Sequence, residues 1–353
     1  MLTDILRWKL TPRECRLPLY MIVFVTYRCN SRCRTCFYHE QIESPESADL
    51  PLDFYTQVAR SLPHLLWLHL SGGEPFLRKD LPELVAEFYR HSGVRKIGIP
   101  TNGLAGENLL ESTRRILDLC PEAQLNIVLS LDGLEKTHDF LRGVPGNYQK
   151  MMTALEVLKQ IRSKHPRLAL NVCTVLNNYN VGEIPELLRR VQGLGVDFHD
   201  VGLLRGDFPD KRLGLPPPDE VEKVLDLVDY YAQRYYAAGG HYPGVSARLA
   251  ARAHRHLNRS FLEFLRTGTV ARPCHIGDGF AVIEPNGDVR LCEMTPVIGN
   301  LLKWHGDFAA FWNSTAVRKA RQTGLCSAGA CTHSNFQTRN FLLNPGQWWK
   351  AIS

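Results

Sequence analysis

Cys29, Cys33 and Cys36 fall within the eight residues CNSRCRTC. Thiolates at that spacing on one short loop can reach three corners of a cubane iron–sulfur cluster and leave its fourth iron without a protein ligand. An iron in that state can take an exogenous chelating ligand. The alternative metal is zinc, which needs a fourth ligand, and His39 is the nearest candidate. Four further cysteines, Cys274, Cys292, Cys326 and Cys331, lie in the last 80 residues. They suffice for one fully ligated [4Fe–4S] cluster, or for a structural zinc site on the same thiolates. In a reducing compartment, cysteines grouped this way point to metal sooner than to disulfides. Of the remaining three, Cys15 and Cys120 read as structural.

The elements that must position these groups are visible as recurring apolar runs at 19–27, 65–70, 94–99, 124–131, 168–176 and 196–204. Helical periodicity fills the gaps, over 53–62, 81–91, 107–119, 147–163 and 182–193. Strands alternating with helices imply crossover connections and a parallel sheet. Strands this continuously apolar are covered by packing. Six such units favour an α/β fold in the form of a partial, TIM-like (β/α)6 barrel, short of the eight units that close one; a doubly wound open sheet is the competing topology. The first cysteine cluster directly follows the first strand. Cys173 falls in the fifth, where alternate side chains face the barrel interior.

After Leu204 the pattern changes. GDFPDKRLGLPPPDE reads as a linker, and helices follow over about 219–237 and 246–267. From about 270 the chain turns to short strands and cysteines. FAVIEPNGDVRLC, 280–292, is a hairpin signal with Asn286-Gly287 at its turn. The expected domains are therefore 1–210, the partial barrel; 211–269, linker and helices; and 270–353, a small cysteine-rich extension.

Composition excludes several classes. Hydrophobic residues at 44% and charged residues at 22% fit an ordinary soluble globular protein. No apolar run reaches the roughly 18 residues of a membrane helix, and MLTDILRWKLTPREC lacks a secretory signal, so a cytoplasmic protein is expected. The net charge of +6 comes from scattered Lys and Arg rather than from a basic tract, which argues against nucleic-acid binding.

Set on this frame, the cysteine motif resembles the signature of the radical S-adenosylmethionine (SAM) superfamily, C-x3-C-x2-C after the first strand. The likeness extends to Ser71-Gly72-Gly73-Glu74-Pro75 after the second strand and Thr101-Asn102-Gly103 after the third. Ser130-Leu131-Asp132-Gly133 ends the fourth, with His138-Asp139 and Arg142-Gly143 beyond it. All fall at the C-terminal ends of predicted strands, where barrel active sites are built. The resemblance implies a [4Fe–4S] cluster on Cys29, Cys33 and Cys36, with SAM chelating the open iron. It places Gly72, Gly73 and Glu74 by the SAM amino group, with glycine letting the backbone approach a ligand closely. Ser130 and Asp132 would reach the ribose or carboxylate, and Arg142 the carboxylate. The family often has an aromatic residue before the last cysteine, near adenine. Here that residue is Thr35, with Phe37 and Tyr38 just after, so Leu203 or Leu204 is the expected substitute.

Cys274, Gly287 and Cys292 resemble the opening of the SPASM and twitch extensions of such enzymes. With Cys326 and Cys331 they imply an auxiliary [4Fe–4S] cluster of the shorter, twitch type. The closing segment departs from the usual spacing, and His333 is a possible substitute ligand. In some relatives a cysteine returns a hydrogen atom to the substrate radical, which would be the role of Cys173. Trp348-Trp349 would cap the cavity or simply pack.

The resemblance further implies electron delivery by a donor such as flavodoxin or ferredoxin. SAM would be cleaved to methionine and a 5′-deoxyadenosyl radical, which abstracts a hydrogen atom. The substrate is expected to be a small molecule, undergoing dehydrogenation, epimerisation or C–C bond formation, because about 19 residues before the first strand leave no room for a peptide-recognition domain. A maturase acting on a ribosomal peptide is the rival. A zinc-binding or redox-sensing module is the non-enzymatic alternative, and it leaves the GGEP and SLDG segments without a purpose.

Overall fold

The computed structural model describes residues 2–43, 49–238, 247–268, 276–322 and 334–344. Six parallel strands run in chain order: β1 (Tyr20–Thr26), β2 (Trp67–Gly72), β3 (Lys96–Thr101), β4 (Gln124–Ser130), β5 (Leu168–Leu176) and β6 (Phe198–Leu203). Between them lie the helices Leu52–Arg60, Leu81–His91, Glu107–Leu119, Asn147–Lys164 and Ile184–Gly193. The sheet does not close, as a partial barrel requires.

The strand sequences record the two sides of this sheet. In β4, Leu125, Ile127 and Leu129 are buried in the main core with the outer helices, while Asn126, Val128 and Ser130 line the barrel interior. Every residue of β1 is buried. Met21, Val23 and Val25 join the outer core, and Tyr20, Ile22 and Phe24 join a second cluster with Trp8, Tyr38 and Phe280. A strand covered on both faces reads as one continuous apolar run.

The predicted hairpin forms as β7 (Phe280–Ile283) and β8 (Asp288–Arg290), with Gly287 at φ +84° in its turn, and β9 (Val297–Asn300) follows. It does not stand apart from the barrel. β7 pairs in parallel with β1, from Tyr20 opposite Phe280 to Val23 opposite Ile283, so one sheet carries all nine strands in the order β6-β5-β4-β3-β2-β1-β7-β8-β9. The added strand satisfies backbone groups that β1 would otherwise present as an open edge.

Three further elements enclose the interior. The helix Ala247–Thr267, which the sequence analysis gives only as a helix, packs on the helix Pro218–Ala237 and turns Leu249, Ala250, Ala253, His254 and Leu257 to the cavity. The helix Leu2–Leu10, not evident from its sequence, contributes Ile5, and the helix Ser334–Leu343 contributes Arg339, Phe341 and Leu342. The segment read as a linker is packed rather than free. Phe208 and Leu213 join Leu141 and Leu204, and Asp210 pairs with Arg34 at 3.0 Å.

Candidate functional site

The loop after β1 is held by backbone contacts that glycine alone permits. A Cβ on Gly72, at φ +125°, would lie 2.4 Å from Thr26 O, and one on Gly73 would lie 2.1 Å from Arg28 O. Both glycines line the cavity and also approach the protein's own chain closely: Gly73 N and Glu74 N donate to Thr26 O and Arg28 O at 2.9 and 2.8 Å. A helix over Glu135–Arg142 supports the loop from the other side. Arg32 N and Arg34 N donate to the carbonyls of Arg142 and Leu141, and Gly143, the left-handed cap at φ +67°, leaves room for Arg32 O. Asn102 Nδ2 reaches Asn30 Oδ1 at 2.8 Å and Ser31 Oγ at 3.0 Å.

Cys29, Cys33 and Cys36 all line one cavity of about 1080 Å³ that extends into the barrel. Burial pushes the Cys29 thiol up to about 11 and the Cys36 thiol up to about 12, and it raises Cys33 as well. Arg142 lines the same cavity. Burial opposes its charge, but the Cys33 sulfur and the Asp132 carboxylate outweigh that and hold it above the usual guanidinium range. Its Nε is buried with no hydrogen-bond partner, an unfilled donor beside three thiols. The donor set therefore fits an anionic thiolate cluster carrying a carboxylate-bearing ligand. His39, the zinc alternative, has Nδ1 within 3.1 Å of Cys36 O and groups with Glu40 and Asp207.

Glu74 lies in the cavity wall, and its carboxylate already accepts from Thr101 Oγ1 at 2.9 Å, Asn102 N at 2.8 Å and Phe76 N at 3.2 Å. Burial raises it to about 7. Ser130 lines the cavity, but Asp132, expected beside it as a polar pair, stands behind. Asp132 Oδ1 accepts from Val175 N at 2.8 Å, and Oδ2 lies 3.3 Å from Arg142 Nη1. Its position fixes the end of β4 against β5 and aims Arg142. Thr35, Phe37, Tyr38 and Leu203 line the cavity, whereas Leu204 packs with Leu141 and Leu213.

Cys173 faces the cavity from β5, and burial raises its thiol. Sheet register sets it directly between Ser130 on β4 and Asp200 on β6. Asp200 lines the cavity too, and the sequence reading missed it, although an acid opposite an inward cysteine on the next strand is the available signal. A second missed group is a carboxylate–imidazole pair. Buried Asp229 Oδ1 lies 3.2 Å from His254 Nδ1 and accepts from Asn258 Nδ2 at 2.7 Å, while His254 also lines the cavity. Nothing in the local sequence pairs these two helices. Cys292 is buried at the end of the hairpin. Cys274, Cys326, Cys331, His333 and Trp348-Trp349 lie outside the described residues. Cys120 is buried and Cys15 is exposed.

Residues 23–191 match the Radical SAM superfamily, and residues 274–333 match an iron-sulfur cluster-binding domain, SPASM. The chain belongs to the radical SAM superfamily. It is an enzyme family, and membership with the second match implies SAM and [4Fe–4S] clusters as cofactors. Curated relatives include a GTP 3′,8-cyclase of Marinobacter nauticus, 29% identical over 224 residues, which are 62% of this chain and 64% of that protein. A PqqA peptide cyclase of Rhodopseudomonas palustris is 29% identical over 188 residues, 52% of this chain and 46% of that one. Molybdenum cofactor biosynthesis protein 1 of Mus musculus is 29% identical over 186 residues, 50% and 27% of the two chains. The match thus spans less than two thirds of each relative. Among solved structures, native anSMEcpe with bound AdoMet superposes with a TM-score of 0.60 at 16% identity, covering 95% of this chain and 98% of that one. Streptococcus suis SuiB bound to S-adenosylmethionine gives a TM-score of 0.60 at 18% identity, covering 86% and 68%. At these identities the likeness concerns the fold. No helix among the described residues is long and apolar enough to cross a membrane.

Proposed function

We propose that this radical SAM enzyme abstracts a hydrogen atom from a polar small molecule held in the barrel, with Cys29, Cys33 and Cys36 as the ligands of the N-terminal cluster. One observation carries the reading: the three thiols and the polar groups Ser130, Cys173, Asp200 and His254 all line the same cavity. When bound, the reduced cluster and SAM supply a 5′-deoxyadenosyl radical and methionine. Arg142 and Ser130 orient SAM at the strand ends, and Glu74 holds the β3 loop that fixes Asn102 against the cysteines. Asp229 anchors His254 through Nδ1, which favours the tautomer that leaves Nε2 free to take a proton from a substrate hydroxyl or amine. The outer helices and the wall helix Ala247–Thr267 exclude water from the radical. We place the auxiliary cluster on Cys274, Cys292, Cys326 and Cys331, with an external flavodoxin-like or ferredoxin-like electron donor.

Cys173 is positioned to return a hydrogen atom to a substrate radical. Its S–H bond would break as a C–H bond forms, and an electron from the donor with a proton would restore the thiol. A second reading, peptide maturation, is favoured by the PqqA peptide cyclase relative. The test is 5′-deoxyadenosine formation by anaerobically reconstituted enzyme with SAM and dithionite, given low-mass and peptide fractions of a cell extract in turn. Stimulation by the low-mass fraction supports the proposal, and stimulation by peptides alone selects the maturase. Absence of 5′-deoxyadenosine under every condition overturns both. The Cys173→Ala enzyme is expected to keep SAM cleavage and lose product; full turnover removes Cys173 from the mechanism.

A further inference from the structure

Two bridges run from the residues that follow Cys36 to the residues that flank Cys292. In the first, the Tyr38 hydroxyl donates to Glu284 Oε2. Arg290 Nε donates to Glu284 Oε1 at 2.8 Å, and its Nη1 donates to Thr295 O at 2.6 Å. Thr295 Oγ1 in turn accepts from Cys292 N at 3.1 Å and donates to Cys292 O at 2.9 Å. Tyr27 stacks on Tyr38 at 5.7 Å and fixes its ring. In the second bridge, the Arg205 guanidinium lies 5.0 Å over the Phe37 ring and pairs with Glu293 at 3.2 Å. Gly206, at φ +74°, makes that approach possible, since a Cβ there would lie 2.8 Å from Phe37 Cβ.

These contacts are conditional on one another. Tyr38, Glu284 and Cys292 are all buried. A buried carboxylate is tolerated when its partners are in place and is costly when one is removed. Glu284 comes from the β7–β8 hairpin, Tyr38 from the cysteine loop and Arg290 from β8, so the carboxylate is satisfied only when loop and hairpin are seated together. Cys36, Phe37, Tyr38 and Cys292 also share one apolar cluster, which makes the seating a matter of packing as well as polarity.

We propose that the Tyr38–Glu284–Arg290 bridge makes the two cluster sites interdependent, with Glu284 as a positioning residue that fixes the Cys36 arm and thereby tunes the N-terminal cluster. The inference rests on assigning Cys36 and Cys292 as ligands of the two clusters. Its chemistry is electrostatic and geometric, with no bond made or broken. The fixed Glu284 carboxylate disfavours adding an electron to a cluster held two residues from its hydrogen-bond partner.

The test compares reconstituted wild type with Glu284→Gln and Tyr38→Phe by iron content and by redox-titrated electron paramagnetic resonance. The N-terminal cluster is recognised as the signal that changes on adding SAM. The expected result is near-wild-type iron in both variants, a higher midpoint potential of the SAM-responsive signal in Glu284→Gln, and an altered line shape of that signal in Tyr38→Phe. Wild-type potential and line shape in both variants overturn the inference. Should Glu284→Gln fail to fold, Tyr38→Phe, which removes one hydroxyl, decides alone. A wild type with no SAM-responsive signal would refute the ligand assignment instead, so the two failures are distinct.

Discussion

Glycines at 72 and 73 show how a motif residue can be demanded by the chain's own backbone. The motif implies that both lie by the SAM amino group; the structure sets both at the end of the second strand and in the cavity lining, where the backbone of Thr26–Arg28 already leaves no room for a side chain. Gly73→Ala would drive a Cβ into Arg28 O, 2.1 Å away, so the loop carrying Cys29 must move. We expect this variant to stay folded but to retain well under half the wild-type iron of the N-terminal site, read by iron analysis after reconstitution; wild-type iron would show that the loop yields without cost. Ser130 and Arg142 were legible as cavity residues from their motif alone. The contacts of Asp132 with Arg142 and β5 were not legible, because strand periodicity ends at Ser130 and gives no direction for the residues beyond. Asp200 was signalled only by its place opposite an inward cysteine on the next strand, and the Asp229–His254 pair depends on how two consecutive helices face each other, which spacing alone does not reveal.

At the scale of elements, all six barrel strands and the five main helices between them were readable because their periodicity is continuous and uninterrupted. Several shorter helices escaped, among them two that contribute to the cavity. Glu135–Arg142 buries only His138 and Leu141, too little to print an apolar stripe, and Leu2–Leu10 carries its packing on Ile5 and Trp8. The helix Ala247–Thr267 was readable as a helix but not as a cavity wall, since a stripe facing a substrate space looks the same as one facing a core. The hairpin was readable while its pairing partner was not, because β7 joins a strand about 260 residues earlier. That pairing carries a stability prediction. Phe280 is fully buried and packs edge-on to Tyr20 at 5.9 Å. Phe280→Ala should destabilise the whole fold by about 3–5 kcal/mol, seen as a single shifted denaturant transition. A separate early transition for the C-terminal region, with the barrel unchanged, would contradict the continuous sheet.

For the whole molecule, buried titratable groups set the pH range in which the fold is secure. Burial lowers His138 from 6.5 to about 4 and His199 from 6.5 to about 3. Asp132 N donates to His138 Nδ1 at 3.1 Å, and Thr174 Oγ1 lies 2.8 Å from His199 Nε2, so both rings sit neutral in the fold. Below pH 6.5 the unfolded chain binds protons that the folded chain refuses. Stability present above 6.5 is therefore lost as pH falls toward the folded values, by roughly 1.4 kcal/mol per pH unit for each histidine. Burial raises the Glu74 carboxyl to about 7 and works in the opposite sense over the same window, so the histidine contribution is read as a difference: the denaturation midpoint of wild type relative to His199→Asn should fall between pH 6.5 and 4.5. A difference that stays flat across that window would count against a buried neutral His199.

The central claim is that two cysteine groups hold two [4Fe–4S] clusters, one of them on Cys29, Cys33 and Cys36. It is tested most directly by iron and sulfide content of anaerobically reconstituted enzyme beside the Cys29/Cys33/Cys36→Ala triple variant. The account predicts about eight irons and about eight sulfides per chain in the wild type, falling to about four of each in the variant. Equal iron in the two proteins, or zinc in place of iron in both, would contradict it.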